Sequence, residues 1–328
     1  MSKLLSTFII FAILLCGCSA KGGNNTEEST KSETITSQIN IKSDIKYTIQ
    51  SELRKNGSIF NFDIKEIETG FEFHMYKYIV EISCDESDYY EPHSIEIEST
   101  ILWESENLKK YFDLVDIDFD GFADIQTVIG EGVSNISYAF YRWDIFESKF
   151  EEESFFELLT PQYKLFSDTK QIISGYRSSV VDFYYSMYQL GNTKNGNWFG
   201  EYELIRRETQ EYVSNKENDR VSHVFIGDEE IYKWNWTEGN NQDIVENYMR
   251  FGISNPISVE EAKALLYEEY GESDTKSGFK FSFQFKEMVM YEKLSCYAFS
   301  LSWLVDDDHW SSVDTVAITP DGKQIFSV

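Results

Sequence analysis

The chain has 328 residues, of which 57 are Asp or Glu and 29 are Lys or Arg, so its formal net charge is -28. Aromatic residues make up 16% of it, enough for a sizeable core, and at about 100–200 residues per domain the length predicts two domains. The charge disfavours nucleic acid and acidic lipid surfaces as partners, because binding either relies on Lys and Arg. Four His and four Cys leave little material for zinc sites or a disulfide framework.

Residues 1–18 have the pattern of an export signal. Lys3 supplies the positive start, and residues 4–15 form an apolar run that is too short to span a bilayer, which takes about 20 residues. The run ends in Leu15-Cys16-Gly17-Cys18, which resembles the lipobox of bacterial lipoproteins. The resemblance implies that Cys18 is lipidated and becomes the first residue of the mature protein. The alternatives are an ordinary secretory signal and an apolar N-terminal helix of the fold.

Residues 19–42 are rich in Ser, Thr, Asn, Glu, Gly and Lys and contain no aromatic residue. Such a stretch cannot bury enough apolar surface to offset the ordering of its backbone, so we expect a disordered tether. No later segment is long and apolar enough to predict a membrane span. The prediction is an extracytoplasmic lipoprotein, at the cell surface or in the periplasm, that contacts the membrane through its lipid anchor only.

Residues 43–252 are predicted to form one all-β domain. Short runs with alternating polar and apolar residues follow one another through tight turns, without long amphipathic helices between them. This favours a mainly β, antiparallel meander, either propeller-like or a sandwich, and no repeat period decides between the two. The predicted strands are residues 58–68, 71–84, 94–103, 111–116, 137–143, 150–158, 171–176, 180–188, 201–208 and 220–226, with one short helix at 243–249.

Residues 253–328 are predicted to form a small α+β domain, with one helix packed on an antiparallel sheet. Ser258 and Glu261 have the spacing of a capping box, and we expect the helix that follows to stop at Gly271. The predicted strands are residues 278–290, 295–305, 313–318 and 323–326. The domain resembles modules at the C-terminus of some surface lipoproteins of low-GC bacteria. Of the cysteines that follow the signal, Cys84 and Cys296, we expect two buried free thiols, with a disulfide as the alternative.

One constellation in the sequence carries chemistry, a D-x-D-x-D-G-x-x-D loop from Asp116 to Asp124. Alternate carboxylates converge on one point, and Gly121 permits the sharp turn. Oxygen-only ligation on a loop suits Ca²⁺ better than Mg²⁺ and predicts one structural calcium site, the alternative being a solvated acidic hairpin. The predicted ligands are Asp116, Asp118, Asp120, the carbonyl oxygen of Phe122, and Asp124. An EF-hand is not expected, because the twelfth loop position is Thr127 instead of Glu.

The loop resembles the calcium loops of integrin-type β domains and dockerin-like repeats. With the segments that follow it, residues 138–143 and 150–159, it is similar to a family of periplasmic or surface lipoproteins with a propeller-like β fold and one calcium loop. Characterised members of that family are immunity proteins that inhibit lysozyme-like hydrolases. The resemblance implies an inhibitor that binds a basic cell-wall hydrolase, and we expect a monomer.

The acidic surface supports a binding protein, since cell-wall hydrolases are often basic and opposite charge speeds their encounter. Trp234 and Trp236 are candidate anchors, with core packing as the alternative. A surface lipoprotein for another ligand remains a second interpretation. A glycan or peptide hydrolase is a third, but no catalytic motif supports an enzyme. Asp306-Asp307-Asp308-His309 is interpreted as a solvated turn, because adjacent residues cannot all point one way.

Overall fold

A computed structural model shows a mainly β protein with few helices. It describes residues 47–55, 57–67, 75–84, 90–132, 136–159, 163–177, 183–190, 202–212, 219–237, 242–306 and 309–328, which belong to one compact unit that ends at Val328. The predicted signal peptide, Cys18 and the predicted tether lie outside these residues. The predicted division at residues 252 and 253 stays a prediction.

The strands form four antiparallel sheets, and within each sheet every strand pairs with its neighbour in sequence. The first sheet contains β1 Tyr47–Glu52, β2 Ile59–Ile67, β3 Tyr76–Cys84 and β4 His93–Ser99. The second contains β5 Phe112–Val115, β6 Asp124–Glu131, β7 Ile136–Asp144 and β8 Lys149–Glu152. The third contains β9 Lys164–Phe166, β10 Gln171–Arg177, β11 Phe183–Leu190, β12 Tyr202–Tyr212, β13 Asp219–Ile226 and β14 Glu229–Thr237. The fourth contains β15 Lys280–Tyr291, β16 Leu294–Asp306, β17 His309–Ile318 and β18 Ile325–Ser327. In the part of the chain that the structure describes, these sheets do not close into a propeller.

The helices are few and short. They are α1 Leu108–Tyr111, α2 Gln242–Phe251 and α3 Val259–Tyr270, with 3-10 turns at Ser105–Asn107 and Ser154–Leu158. The capping box of α3 is confirmed: the Ser258 hydroxyl accepts from the Glu261 amide at 3.1 Å, and the Ser258 amide donates to the Glu261 carboxylate at 2.8 Å. Gly271 ends α3 at a φ of 82°, which favours glycine.

The first and second sheets share one aromatic core. Phe62 of β2 lies 5.7 Å from Phe112 and 6.0 Å from Phe150, measured between ring centroids. Beside them the ring of Trp103 stacks on Tyr78 at 4.1 Å, and both residues are fully buried. Because β5 and β6 are held in this core, the loop that joins them starts and ends on rigid backbone.

The third and fourth sheets each bury one face against a helix. Val245 and Met249 of α2 pack on Ile173, Met187 and Val224 of the third sheet. Ala262 and Leu266 of α3 pack on the fourth sheet. The C-terminal part of the chain therefore contains helices plus a sheet: α3 packs on the fourth sheet, and the helix predicted at 243–249 is α2, which packs on the third sheet.

Several predicted strand boundaries are wrong. The strand predicted at residues 150–158 ends at Glu152, and its remainder is the 3-10 turn, where the Glu153 carboxylate caps the Phe155 amide. The strand predicted at 94–103 ends at Ser99, and residues 71–74 and 180–182 of two other predicted strands lie outside the described residues. The strands β1, β6, β9 and β14 are absent from the predicted set. Cys84 and Cys296 are buried free thiols, as expected.

Candidate metal centre

The predicted calcium loop connects β5 to β6 in the second sheet. Its ends are tied together, because Val115 pairs with Asp124 across the two strands. Inside the loop the backbone turns twice through the left-handed region, with a φ of 58° at Phe119 and 90° at Gly121. Apart from its two chain neighbours, no described residue has an atom within 4 Å of the position that a Cβ on Gly121 would occupy, so its φ, and not crowding, favours glycine there.

Three aspartates converge inside this turn. One carboxylate oxygen from each of Asp116, Asp118 and Asp120 lies within 4.8 Å of the others, as a metal site requires. Backbone amides fix their orientation: Gly121 N donates to Asp116 Oδ2 at 3.2 Å, and Phe122 N donates to Asp120 Oδ1 at 2.7 Å. Asp116 Oδ1 is buried and has no hydrogen-bond partner among the described residues. A buried carboxylate oxygen without a donor fits a cation ligand.

Asp124, the fourth aspartate of the loop, has different partners. It is fully buried, and its two oxygens accept from the amides of Ile117, at 3.0 Å, and Trp143, at 2.8 Å. These bonds join the start of the loop to β7. The structure thus brings three predicted ligands together and shows Asp124 bracing the loop, and ligation by Asp124 and by the Phe122 carbonyl stays a prediction.

Burial disfavours the charged form of all four carboxylates, and repulsion by neighbouring aspartates adds to it at Asp116, Asp118 and Asp124. Burial, with the nearby charge of Asp120, raises the pKa of Asp118 to about 7. Burial, with the charge of Asp118, raises the pKa of Asp124 to about 8, against the two amide hydrogen bonds that favour its carboxylate. The pKa values of Asp116 and Asp120 are also raised, mainly by burial. A bound divalent cation would relieve this repulsion, so the three-aspartate group could hold a metal ion.

Two residues beside the loop were missed by the sequence analysis. Arg142 of β7 places Nη1 3.6 Å from Asp118 Oδ2, and the Tyr202 hydroxyl donates to the Ile117 carbonyl at 3.4 Å. Both are far from the loop in sequence. The sequence signal for Arg142 is its position as a charged residue in an otherwise apolar strand, two residues after a buried aromatic. That position does not identify the group that the Arg142 side chain faces.

The other singled-out residues lie elsewhere. Trp234 is half-buried beside Tyr232 in the cluster under α2, which agrees with the core alternative, whereas the side chain of Trp236 lies outside the described residues. Asp306 and His309 are exposed and pair across the hairpin of β16 and β17, and residues 307–308 lie outside the described residues.

None of the helices in the described ranges has the length and apolar character needed to cross a bilayer. Comparisons with models of protein families, with curated proteins and with solved structures find no match for this chain.

Proposed function

We propose that the protein is a calcium-binding lipoprotein, tethered outside the cytoplasm, that acts by binding another protein. The observation that supports calcium is the convergence of Asp116, Asp118 and Asp120 on one point, where a buried oxygen of Asp116 has no donor within the described part of the chain. All donors there are oxygens, which hard cations such as Ca²⁺ prefer. The role of calcium is structural, because the loop fixes the connection between two buried strands.

Thermal denaturation tests the calcium assignment. At a calcium concentration about 100 times its dissociation constant, binding to the native state alone adds about 2.7 kcal/mol to the free energy of unfolding. We expect the wild type to melt at a higher temperature in calcium than in chelator, and Asp118→Asn to lose this difference. Asp113→Asn is the matched control, because Asp113 is exposed in β5 and caps the Leu114 amide at 3.0 Å. A variant at Asp118 that keeps the full calcium effect would contradict the assignment.

The binding partner that the charge favours is a basic cell-wall hydrolase. A net charge of -28 accelerates encounter with a basic protein and disfavours acidic ones. The resemblance of the loop segment to calcium-loop, propeller-like immunity lipoproteins points to the same class of partner. Membrane attachment through Cys18 would keep the inhibitor beside the wall that it protects.

The inhibitor proposal is tested with a purified lysozyme-type hydrolase and isolated cell wall. We expect the protein to bind the enzyme, to slow lysis, and to do so less at high salt, because screening weakens the attraction. An acidic hydrolase is the matched control. Lysis that proceeds at the same rate with and without the protein would reject inhibition and favour another ligand.

A further inference from the structure

Arg142 is a largely buried cation that faces the three-aspartate group. Its side chain is 15% exposed, and the Asp118 side chain that it faces is 9% exposed. Nη1 lies 3.6 Å from Asp118 Oδ2, at ion-pair distance but too long for a good hydrogen bond. The guanidinium therefore supplies positive charge to the loop without closing off the oxygen of Asp118.

Arg142 also has a carboxylate partner outside the loop. Its Nε lies 3.9 Å from Glu153 Oε2. Glu153 is itself fixed, because its Oε1 accepts from the Phe155 amide at 3.2 Å at the start of the 3-10 turn. Two carboxylates, Asp118 and Glu153, thus share one guanidinium, and the cation keeps a partner if either one is taken by another ion.

One guanidinium cannot satisfy the whole group. Three carboxylates converge within 4.8 Å, and the buried Asp116 Oδ1 receives no hydrogen bond from any residue that the structure describes. The charge of Arg142 offsets one of the three negative charges, and two remain. A divalent ion supplies the missing charge, and it would then lie close to Arg142 and be repelled by it.

We propose that Arg142 is a resident counter-ion that holds the calcium loop in shape without metal and lowers the affinity of the loop for calcium. The proposal rests on the proposed calcium site. When calcium binds, Asp118 turns from the guanidinium to the metal, and Glu153 remains as the partner of Arg142. The affinity of the site is set by this exchange, so the loop responds to higher calcium concentrations than its carboxylates alone would require.

The test compares Arg142→Gln with the wild type by calorimetric titration with calcium chloride. We expect Arg142→Gln to bind calcium at least about tenfold more tightly, because a repelling charge near the metal is removed. In chelator the same variant should melt at a lower temperature than the wild type, because Asp118 loses the cation that it faces. The matched control is Arg54→Gln, since the exposed Arg54 lies over the Phe122 ring at 5.2 Å and lacks an ion pair to the loop among the described residues.

The outcomes separate this proposal from the calcium assignment. Equal or weaker calcium binding by Arg142→Gln, with a wild type that binds, overturns the counter-ion role and leaves the calcium site standing. No binding heat from either protein overturns both. If Arg142→Gln does not fold in chelator, Arg142→Lys replaces it. A lysine keeps the positive charge but lacks the planar fork of the guanidinium. The calcium affinity of Arg142→Lys should therefore be higher than that of the wild type and of Arg54→Gln, and lower than that of Arg142→Gln folded in calcium. A wild-type affinity in both Arg142 variants contradicts the proposal.

Discussion

Asp118 and Asp124 lie six residues apart in one loop, but they have different partners. We expect Asp118 to stabilise the fold through the metal, and Asp124 to stabilise it through hydrogen bonds that do not depend on the metal. Both oxygens of Asp124 accept backbone amides, so an asparagine there keeps one acceptor and turns its NH₂ toward a second donor. We expect Asp124→Asn to lower the free energy of unfolding by about 1–3 kcal/mol, equally in calcium and in chelator, as measured by urea denaturation. A loss confined to calcium would instead identify Asp124 as a ligand.

Glu208 of β12 makes the free energy of unfolding depend on pH, independently of the aspartate loop at residues 116–124. It is buried, and burial raises its pKa to about 7, against hydrogen bonds from Gln210 and Ser222. Since the unfolded pKa is about 4.3, the proton stabilises the folded state fully below that pH, and this contribution is lost as the pH rises through 7.

A Glu208→Gln variant should therefore gain stability relative to the wild type between about pH 4.3 and 7, by up to about 3 kcal/mol, with a constant difference above pH 7. Urea midpoints at four or five pH values measure this. Glu211→Gln on the same strand, where the side chain is exposed, controls for the lost charge. A difference that does not change with pH would show that the Glu208 carboxyl is not titrating in this range.

At the scale of elements, Arg206 of β12 links three parts of the chain. It is fully buried, and burial lowers its pKa to about 10, so it stays charged at neutral pH. Its guanidinium donates to the carbonyls of Met249 and Arg250 at the end of α2, at 3.0 and 3.1 Å, where the helix dipole favours a cation. It also donates to the Lys293 carbonyl at 2.7 Å, between β15 and β16, and thus crosses the predicted domain boundary.

We expect Arg206→Met to lower the free energy of unfolding by about 3 kcal/mol or more, because several buried acceptors lose their donor together. Arg207→Met is the matched control. The adjacent side chain is half exposed and pairs with Asp228 at 3.5 Å, so its loss should cost less than about 1 kcal/mol. Two separate unfolding transitions in the wild type would contradict the link between the sheets.

Sequence patterns predicted the features that depend on adjacent residues. They did not predict the features that depend on residues far away in the sequence. The capping box of α3 and the left-handed Gly121 depend on a few adjacent residues, so the sequence was sufficient to find them. The role of Asp124 depends on the Trp143 amide, 19 residues away. The orientation of the Arg142 side chain toward Asp118 depends on the register of the strands. The strand predicted at residues 150–158 is wrong beyond Glu152, because the Glu153 carboxylate accepts from the Phe155 amide and this local bond competes with strand pairing.

At the scale of the whole molecule, a charge of -28 makes the folded state repel itself. Raising the salt concentration from about 10 to 150 mM shortens the screening length from about 30 to 8 Å, so we expect sodium chloride to raise the melting temperature. Asp118→Asn should keep this salt effect while it loses the calcium effect. A melting temperature that falls with added salt would mean that attractive ion pairs outweigh the net repulsion.

The order of the strands within the sheets has a consequence for how the chain folds. Since each strand pairs with its neighbour in sequence, every described strand finds its pairing partners within its own sheet. A chain that emerges from its N-terminal end can complete the sheets one after another, and contacts that are close in sequence form quickly. The bonds of Arg206 to α2 and to the β15–β16 turn, and the bond of Gln189 to the Met288 carbonyl at 2.7 Å, form after the C-terminal residues are available, so they belong to a late step of folding.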